Sequence, residues 1–152
     1  MNKQALAERV VEEMLAHDAF SAWLGLEVLE IGPGRAVVRM TVRADMLNGF
    51  YVAHGGVTFS LADSALAFAS NSHGRVALAL ENSIFYPNPV AEGDVLTATA
   101  EEVSAANRVA VYNVSVTRAD GTQVGVFRGS VYRTKKLHFS DEGGNVEQSV
   151  SS

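Results

Sequence analysis

His54-Gly55-Gly56-Val57-Thr58-Phe59-Ser60-Leu61-Ala62-Asp63-Ser64-Ala65-Leu66-Ala67-Phe68-Ala69-Ser70-Asn71 is the stretch on which the fold turns. It is long, free of proline and apolar on nearly every side, so it reads as one helix that belongs in a core. Ser72-His73-Gly74 supplies its stop. A helix of this kind needs cover all round, and a sheet that wraps it is the economical solution.

Strand patterning on both sides supplies that sheet. Before the helix, residues 26–43 read as two strands broken at Gly32-Pro33-Gly34, a strong turn signal. Four strands are expected after it, over residues 76–86, 94–104, 109–118 and 123–134. Pro87-Asn88-Pro89 with Glu92-Gly93, Ala105-Ala106-Asn107 and Ala119-Asp120-Gly121 separate them, and the even spacing predicts an antiparallel meander. Residues 45–53 form a loop holding Asn48-Gly49 and the aromatic pair Phe50 and Tyr51. At the front of the chain, Leu6, Val10, Met14 and Leu15 recur at helical spacing, predicting an amphipathic helix over residues 2–17. The architecture is therefore α+β: one long buried helix against a curved antiparallel sheet, with an extra N-terminal helix. Residues 1–139 read as a single domain, and residues 140–152, polar and rich in glycine and serine, as a disordered tail.

Composition removes several classes of function. The 152 residues include no cysteine, which excludes disulfides, thiolate metal sites and cysteine nucleophiles together. A net charge of −5 argues against nucleic acid as a partner. The apolar runs are too short to span a bilayer, and charges interrupt the first seventeen residues, so a cytoplasmic protein with no membrane partner is expected. The four histidines are scattered without a His-x-x-x-His pair, so no metal is expected. No Gly-x-Ser-x-Gly elbow of a serine hydrolase occurs.

Two features carry chemistry. Between Met46 and Leu80 the only acidic side chain is Asp63, set in the most apolar helix of the chain. Burial of a carboxylate there raises its pKa or costs several kcal/mol unless something compensates. A structural Asp that bonds a neighbouring group is the competing reading. The second feature is His54-Gly55-Gly56 at the helix start, where backbone N–H groups are unpaired and the helix dipole is positive. An oxygen acquiring negative charge is held well at such a place, although glycines also serve plain loop-to-helix junctions. Gly55 and Asp63 are separated by roughly 12 Å along one helix, too far to share a reacting carbonyl within one chain. Two antiparallel helices across a two-fold axis would bring Asp63 of one subunit to Gly55 of the other, twice.

The run from Asn48 through His54-Gly55-Gly56 to Leu61-Ala62-Asp63 resembles the signature of the PaaI-type hotdog thioesterases of phenylacetate degradation. The similarity continues through Phe68-Ala69-Ser70-Asn71-Ser72 and Gly93-Asp94-Val95-Leu96-Thr97-Ala98-Thr99-Ala100, and reaches Phe127-Arg128-Gly129. The resemblance implies a hotdog fold, assembled as dimers paired into tetramers, and hydrolysis of an acyl-CoA such as phenylacetyl-CoA or hydroxyphenylacetyl-CoA. It implies Asp63 as general base or nucleophile, the Gly55 N–H as polariser of the thioester carbonyl, and Asn48 and His54 as polar residues of the pocket. The implied site lies between protomers. Coenzyme A is part of the substrate, and no other cofactor is implied. Some relatives place a Ser or Thr on the strand after the helix to hold water; here Ser83 is the candidate, unless Ala79 occupies the equivalent place.

For the acyl group, Phe50, Tyr51 and Phe59 are candidate pocket residues, with Phe68 assigned to the core. Arg75, Arg108, Arg128 and Arg133 are candidate partners for the CoA phosphates. Two rivals stand beside hydrolysis. One is a hotdog enoyl-CoA hydratase or dehydratase, with His54 and Asp63 as its pair. The other is a non-catalytic acyl-CoA-binding protein, which the short segment before Leu26 disfavours because it has no room for a DNA-binding domain.

Overall fold

The computed structural model describes residues 1–140. Residues 141–152, most of the expected tail, lie outside the described residues. Along the chain run α1 (Lys3–Ala16), α2 (Ala19–Leu24), β1 (Glu27–Gly32), β2 (Arg35–Thr41), a single 3₁₀ turn (Ala44–Met46), α3 (Gly55–Asn71), β3 (Arg75–Phe85), β4 (Val95–Ala105), β5 (Val109–Arg118) and β6 (Gln123–Leu137).

The six strands form one antiparallel sheet in the order β1-β2-β4-β5-β6-β3. Only β4, β5 and β6 make a meander. The residues between β3 and β4 look like a hairpin loop by composition, but they carry the chain across the sheet. β4 adds to β2, and β3 closes the far side against β6. The edges of the sheet are thus β1 and β3.

Alternation along the strands explains how α3 is covered. Ala36, Val38 and Met40 of β2, Leu96, Ala98 and Ala100 of β4, and Val114 and Val116 of β5 all point at the helix and are buried. They meet Leu61, Ala62, Ala65, Leu66, Phe68 and Ala69 of α3 in one core. Each fully buried leucine or phenylalanine contributes about 1.5–3 kcal/mol relative to exposure. Small residues let the strands approach the helix closely, and α1 adds Val11 to the same core.

α3 is not enclosed on every side. Gly55, Phe59, Ser60, Asp63, Ser64 and Ala67 are only partly covered, and they recur at helical spacing as one stripe. Flanking the stripe are α2 on one side and β3 on the other. α2, six residues long, has no counterpart among the elements expected from sequence. Asp18 caps it by accepting from the Ser21 N–H at 2.9 Å, and Gly25 ends it at φ 72°. The Ser21 hydroxyl donates to Asp18 at 2.6 Å and accepts from the Ser64 hydroxyl at 3.0 Å, so α2 is bonded directly to α3.

Candidate active site

Asp63 lies in the middle of α3, on its open stripe. Asn82 of β3 donates from Nδ2 to Asp63 Oδ1 at 2.9 Å. Burial raises the Asp63 pKa above the ordinary carboxylate range, and the Asn82 bond offsets only part of that rise. The other end of the Asn82 amide, Oδ1, is buried and has no partner among the described residues.

Space for Asn82 comes from the neighbouring strand. Gly129 is its register partner on β6, and a Cβ at Gly129 would stand 2.6 Å from Asn82 Oδ1 and 2.6 Å from Leu66 Cδ2. Only a residue without a side chain lets both groups lie where they do. Asn82 is a site residue that sequence reasoning missed. Its signal was a polar side chain at a strand position facing the helix, two residues before the inward-facing Ile84.

At the start of α3 the Gly55–Gly56 peptide is held at both ends. The Tyr86 hydroxyl donates to Gly55 O at 2.8 Å, while Gly56 N–H donates to His54 Nδ1 at 2.9 Å. His54 is thus the N-cap, and Nδ1 must be unprotonated to accept. The Gly55 N–H, by contrast, has no acceptor among the described residues. Tyr86 lies close over the glycine: a Cβ there would meet its hydroxyl oxygen at 3.2 Å. Burial pushes the Tyr86 phenol up, keeping it a donor. Tyr86 was not singled out from sequence either; it follows β3 immediately and precedes Pro87.

The remaining expected site residues are placed as follows. Asn48 Oδ1 accepts from the Phe50 N–H at 2.9 Å and shapes its own loop. Phe50 and Tyr51 stand at the tip of that loop, 87% and 84% exposed, and form no aromatic pocket within the chain. Tyr51 has φ 62°, the left-handed conformation that closes the turn. Phe59 packs edge-on against Phe127 at 5.4 Å between ring centroids, so it serves the core. Ser83 lies on the outer face of the sheet with Asn113 and Arg128, because strand alternation sends it away from Asn82 and Asp63. Ala79 is exposed on β3.

Arg75 donates to the Thr134 and Arg133 carbonyls at 2.8 and 3.1 Å. Burial, then the nearby Arg133 and Arg108 charges, lowers its pKa. This arginine cluster sits at the start of β3, the end remote from Gly55. Arg128 faces outward, bonded to Asn113 Oδ1 at 2.9 Å.

Beside the helix start is a groove of about 380 Å³ between α2 and α3. Its lining includes His54, Gly56, Val57 and Ser60 from the helix start and first turns, and Phe20, Trp23 and Leu24 from α2. No group of three or more His, Cys, Asp or Glu side chains among the described residues could hold a metal. No described helix is long and apolar enough to cross a membrane.

A half-buried carboxylate on a sheet-wrapped helix and a free amide at that helix's start lead to the relatives of the sequence. The thioesterase superfamily model matches residues 50–125, half of the chain. The chain belongs to the thioesterase superfamily. Within this superfamily it is similar to the acyl-coenzyme A thioesterase PaaI of Escherichia coli K12, at 41% identity over 120 residues, covering 79% of this chain and 86% of that one. A solved structure of E. coli PaaI superposes with a TM-score of 0.87 at 37% identity, covering 90% of this chain and 99% of that one. A putative esterase of Archaeoglobus fulgidus is 41% identical over 134 residues, 88% of this chain and 87% of that protein. A hypothetical thioesterase of Streptococcus pneumoniae, solved with coenzyme A, superposes with a TM-score of 0.76 at 30% identity, covering 80% of this chain and 95% of that one. The fold of this PaaI-type thioesterase is the hotdog, and the protein is a thioester hydrolase.

Proposed function

We propose that this thioesterase hydrolyses acyl-CoA, with phenylacetyl-CoA or hydroxyphenylacetyl-CoA as its substrate class, in sites shared by two copies of the chain. The observation that carries the reading is Asp63 itself: a half-buried carboxylate of raised pKa, oriented by Asn82, on the open stripe of the same helix that begins at the free Gly55 amide. The similarity to E. coli PaaI supports the acyl-CoA substrate, and the coenzyme A in the pneumococcal structure supports the thiol half. With acyl-CoA as substrate, the cytoplasm is the proposed compartment.

The thioester carbonyl accepts from Gly55 N–H. Asp63 of the neighbouring copy takes a proton from water, whose oxygen adds to the carbonyl carbon. The oxyanion is stabilised by the Gly55 amide and the helix dipole. Collapse breaks the C–S bond, and the CoA thiolate leaves with a proton, giving the free acid. A raised pKa makes Asp63 the stronger base toward water and the stronger nucleophile toward the carbonyl alike, so direct attack through an anhydride is the alternative route. Label found in Asp63 after a single turnover in ¹⁸O-water would establish direct attack, with the anhydride opened at the aspartyl carbonyl.

The helix supports sharing of the site. Gly55 and Asp63 are on one rigid α3, roughly 12 Å apart. The open stripe of α3 and the unpaired rim of β3 offer the surface for a second copy. Leu78 and Leu80 on β3 are 59% and 57% exposed, and Phe85 at its end is exposed as well. A long apolar edge strand of this kind calls for a partner. A two-fold axis beside β3 would also carry the Arg75, Arg108 and Arg133 end of one sheet toward the Gly55 end of the other, where the CoA phosphates need cations. Pairing of such dimers into a tetramer is part of the proposal.

The hydratase reading has only His54 Nε2 to work with, because Nδ1 is engaged as the helix cap.

Asp63→Asn tests the function. Thiol release from phenylacetyl-CoA should fall about 10²–10⁴-fold, with the elution volume in size-exclusion unchanged. Normal turnover in that variant would remove Asp63 from the chemistry, and absence of thiol release by the parent protein from every acyl-CoA would remove the activity.

A further inference from the structure

Within one chain Phe50, Tyr51 and Phe59 do not converge on a pocket, yet an aromatic wall does stand beside the helix start. Phe20 and Trp23 of α2 stack with centroids 6.0 Å apart and remain about half exposed. Between them and α3 the groove has a buried floor of Leu24, Met46 and Val57. We propose that Phe20 and Trp23 are specificity-determining residues, forming with that floor the subsite for the aromatic ring of the acyl group. The proposal rests on the thioester reading given above and names where its acyl end lies.

Three observations choose this occupant. The groove is continuous with the thioester position, since His54 and Gly56, which flank the Gly55 amide, belong to its lining. A carbonyl bonded to that amide has its substituent at the groove's mouth. Its volume, about 380 Å³, falls at the small end of ligand pockets, with the apolar and aromatic lining that suits a ring. Charge does not favour the other end of the substrate: the lining contains one carboxylate, Asp45, and no lysine or arginine, and the rim Arg43 is already paired with Asp45, so the groove offers CoA phosphates no unpaired cation.

The wall is also fixed in place. Ser21, between Phe20 and Ala22, is bonded through Ser64 to the turn of α3 that holds Asp63. Arg43 lies 5.0 Å from the Trp23 ring centroid and donates to Asp45 at 3.1 Å, bracing the ring from the rim. Alignment of the ring and alignment of the reacting carbon are therefore set by the same helix.

Trp23 is the only tryptophan of the chain, so its fluorescence reports on this groove alone. The probe is S-(2-phenylethyl)-CoA, a thioether that cannot be hydrolysed, compared with S-ethyl-CoA. Calorimetry measures binding of both. The phenyl compound should shift or quench Trp23 emission on saturation, and the ethyl compound should leave it near the free value. Equal emission changes from both would overturn the subsite. Binding of neither compound would instead sink the acyl-CoA reading beneath it.

A double substitution, Phe20→Ala with Trp23→Ala, supplies the kinetic arm, with folding checked by circular dichroism. Its kcat/KM for phenylacetyl-CoA should fall about tenfold, while that for acetyl-CoA stays near the parent value. An equal fall for both substrates would make α2 a structural brace only. Parent-like kcat/KM for both substrates would place the ring elsewhere.

Discussion

The side chain of Asn82 reaches Asp63 from the adjacent strand, 2.9 Å from Nδ2 to Oδ1, through a gap that exists because Gly129 has no side chain. Two residues far from it in the chain thereby act on one carboxylate, and each can be changed separately.

For Asp63, stability and activity should move in opposite directions. Its pKa is raised in the folded protein, so the fold binds that proton more tightly than the unfolded chain does. Its contribution to stability is full below the unfolded pKa and is lost as pH rises through the folded one. The Asp63→Asn protein should therefore melt at higher temperature than the parent at pH 7, with the difference closing toward pH 4. Melting curves across that range check it, and a gap independent of pH would refute the assignment of a burdened carboxylate.

Removing the donor should move the acid limb of activity. The Asn82 bond lowers the Asp63 pKa, so in Asn82→Ala that pKa climbs further. The limb of kcat/KM should shift to higher pH relative to the parent, and activity should partly return in alkaline buffer. A profile scaled down uniformly, with its inflection unmoved, would mean that Asn82 does not act through Asp63.

Gly129→Ala should reproduce this kinetic behaviour at a distance. Its new Cβ would press on Asn82 Oδ1 and Leu66 Cδ2, each at 2.6 Å, an overpacking cost of about 1–3 kcal/mol. Urea denaturation measures the loss, and the pH profile should resemble that of Asn82→Ala. Parent-like stability would show that the strands part easily there.

Tyr86→Phe should lower kcat with little change in KM. The lost bond to Gly55 O is worth about 0.5–1.5 kcal/mol, and its loss frees one end of the Gly55–Gly56 peptide. Steady-state kinetics and melting curves decide it. A rise in KM alone would assign Tyr86 to ground-state binding instead.

Leu80→Lys puts a charge on the exposed rim of β3. Size-exclusion with light scattering should show single chains, and thiol release should vanish with the assembly, because one chain alone keeps Gly55 and Asp63 apart. Full activity in a monomeric variant would end the shared-site proposal.

The long helix and the strands around it were legible because each has a strong period and plain punctuation. Asp63 was legible for a related reason: a lone carboxylate stands out in an apolar run. Order within the sheet was not, since Pro87-Asn88-Pro89 marks a turn without saying whether the next strand pairs back or crosses over. α2 is too short to show a period, although Asp18 and Gly25, its cap and stop, were there to be read. Asn82 and Tyr86 acquire meaning only through what lies across from them. The conformation of the aromatic loop was not legible either: Phe50 and Tyr51 are adjacent to the signature in sequence, while the backbone turn at Tyr51 carries both rings outward from their own chain.

The unpaired rim of β3 also bears on how the protein matures. On the proposed pairing, a chain leaving the ribosome shows a ladder of unclaimed peptide groups beside two leucines until a sister chain arrives, so completion is second order in concentration. Dilute synthesis prolongs that vulnerable interval, and any foreign strand met during it competes for the same seam.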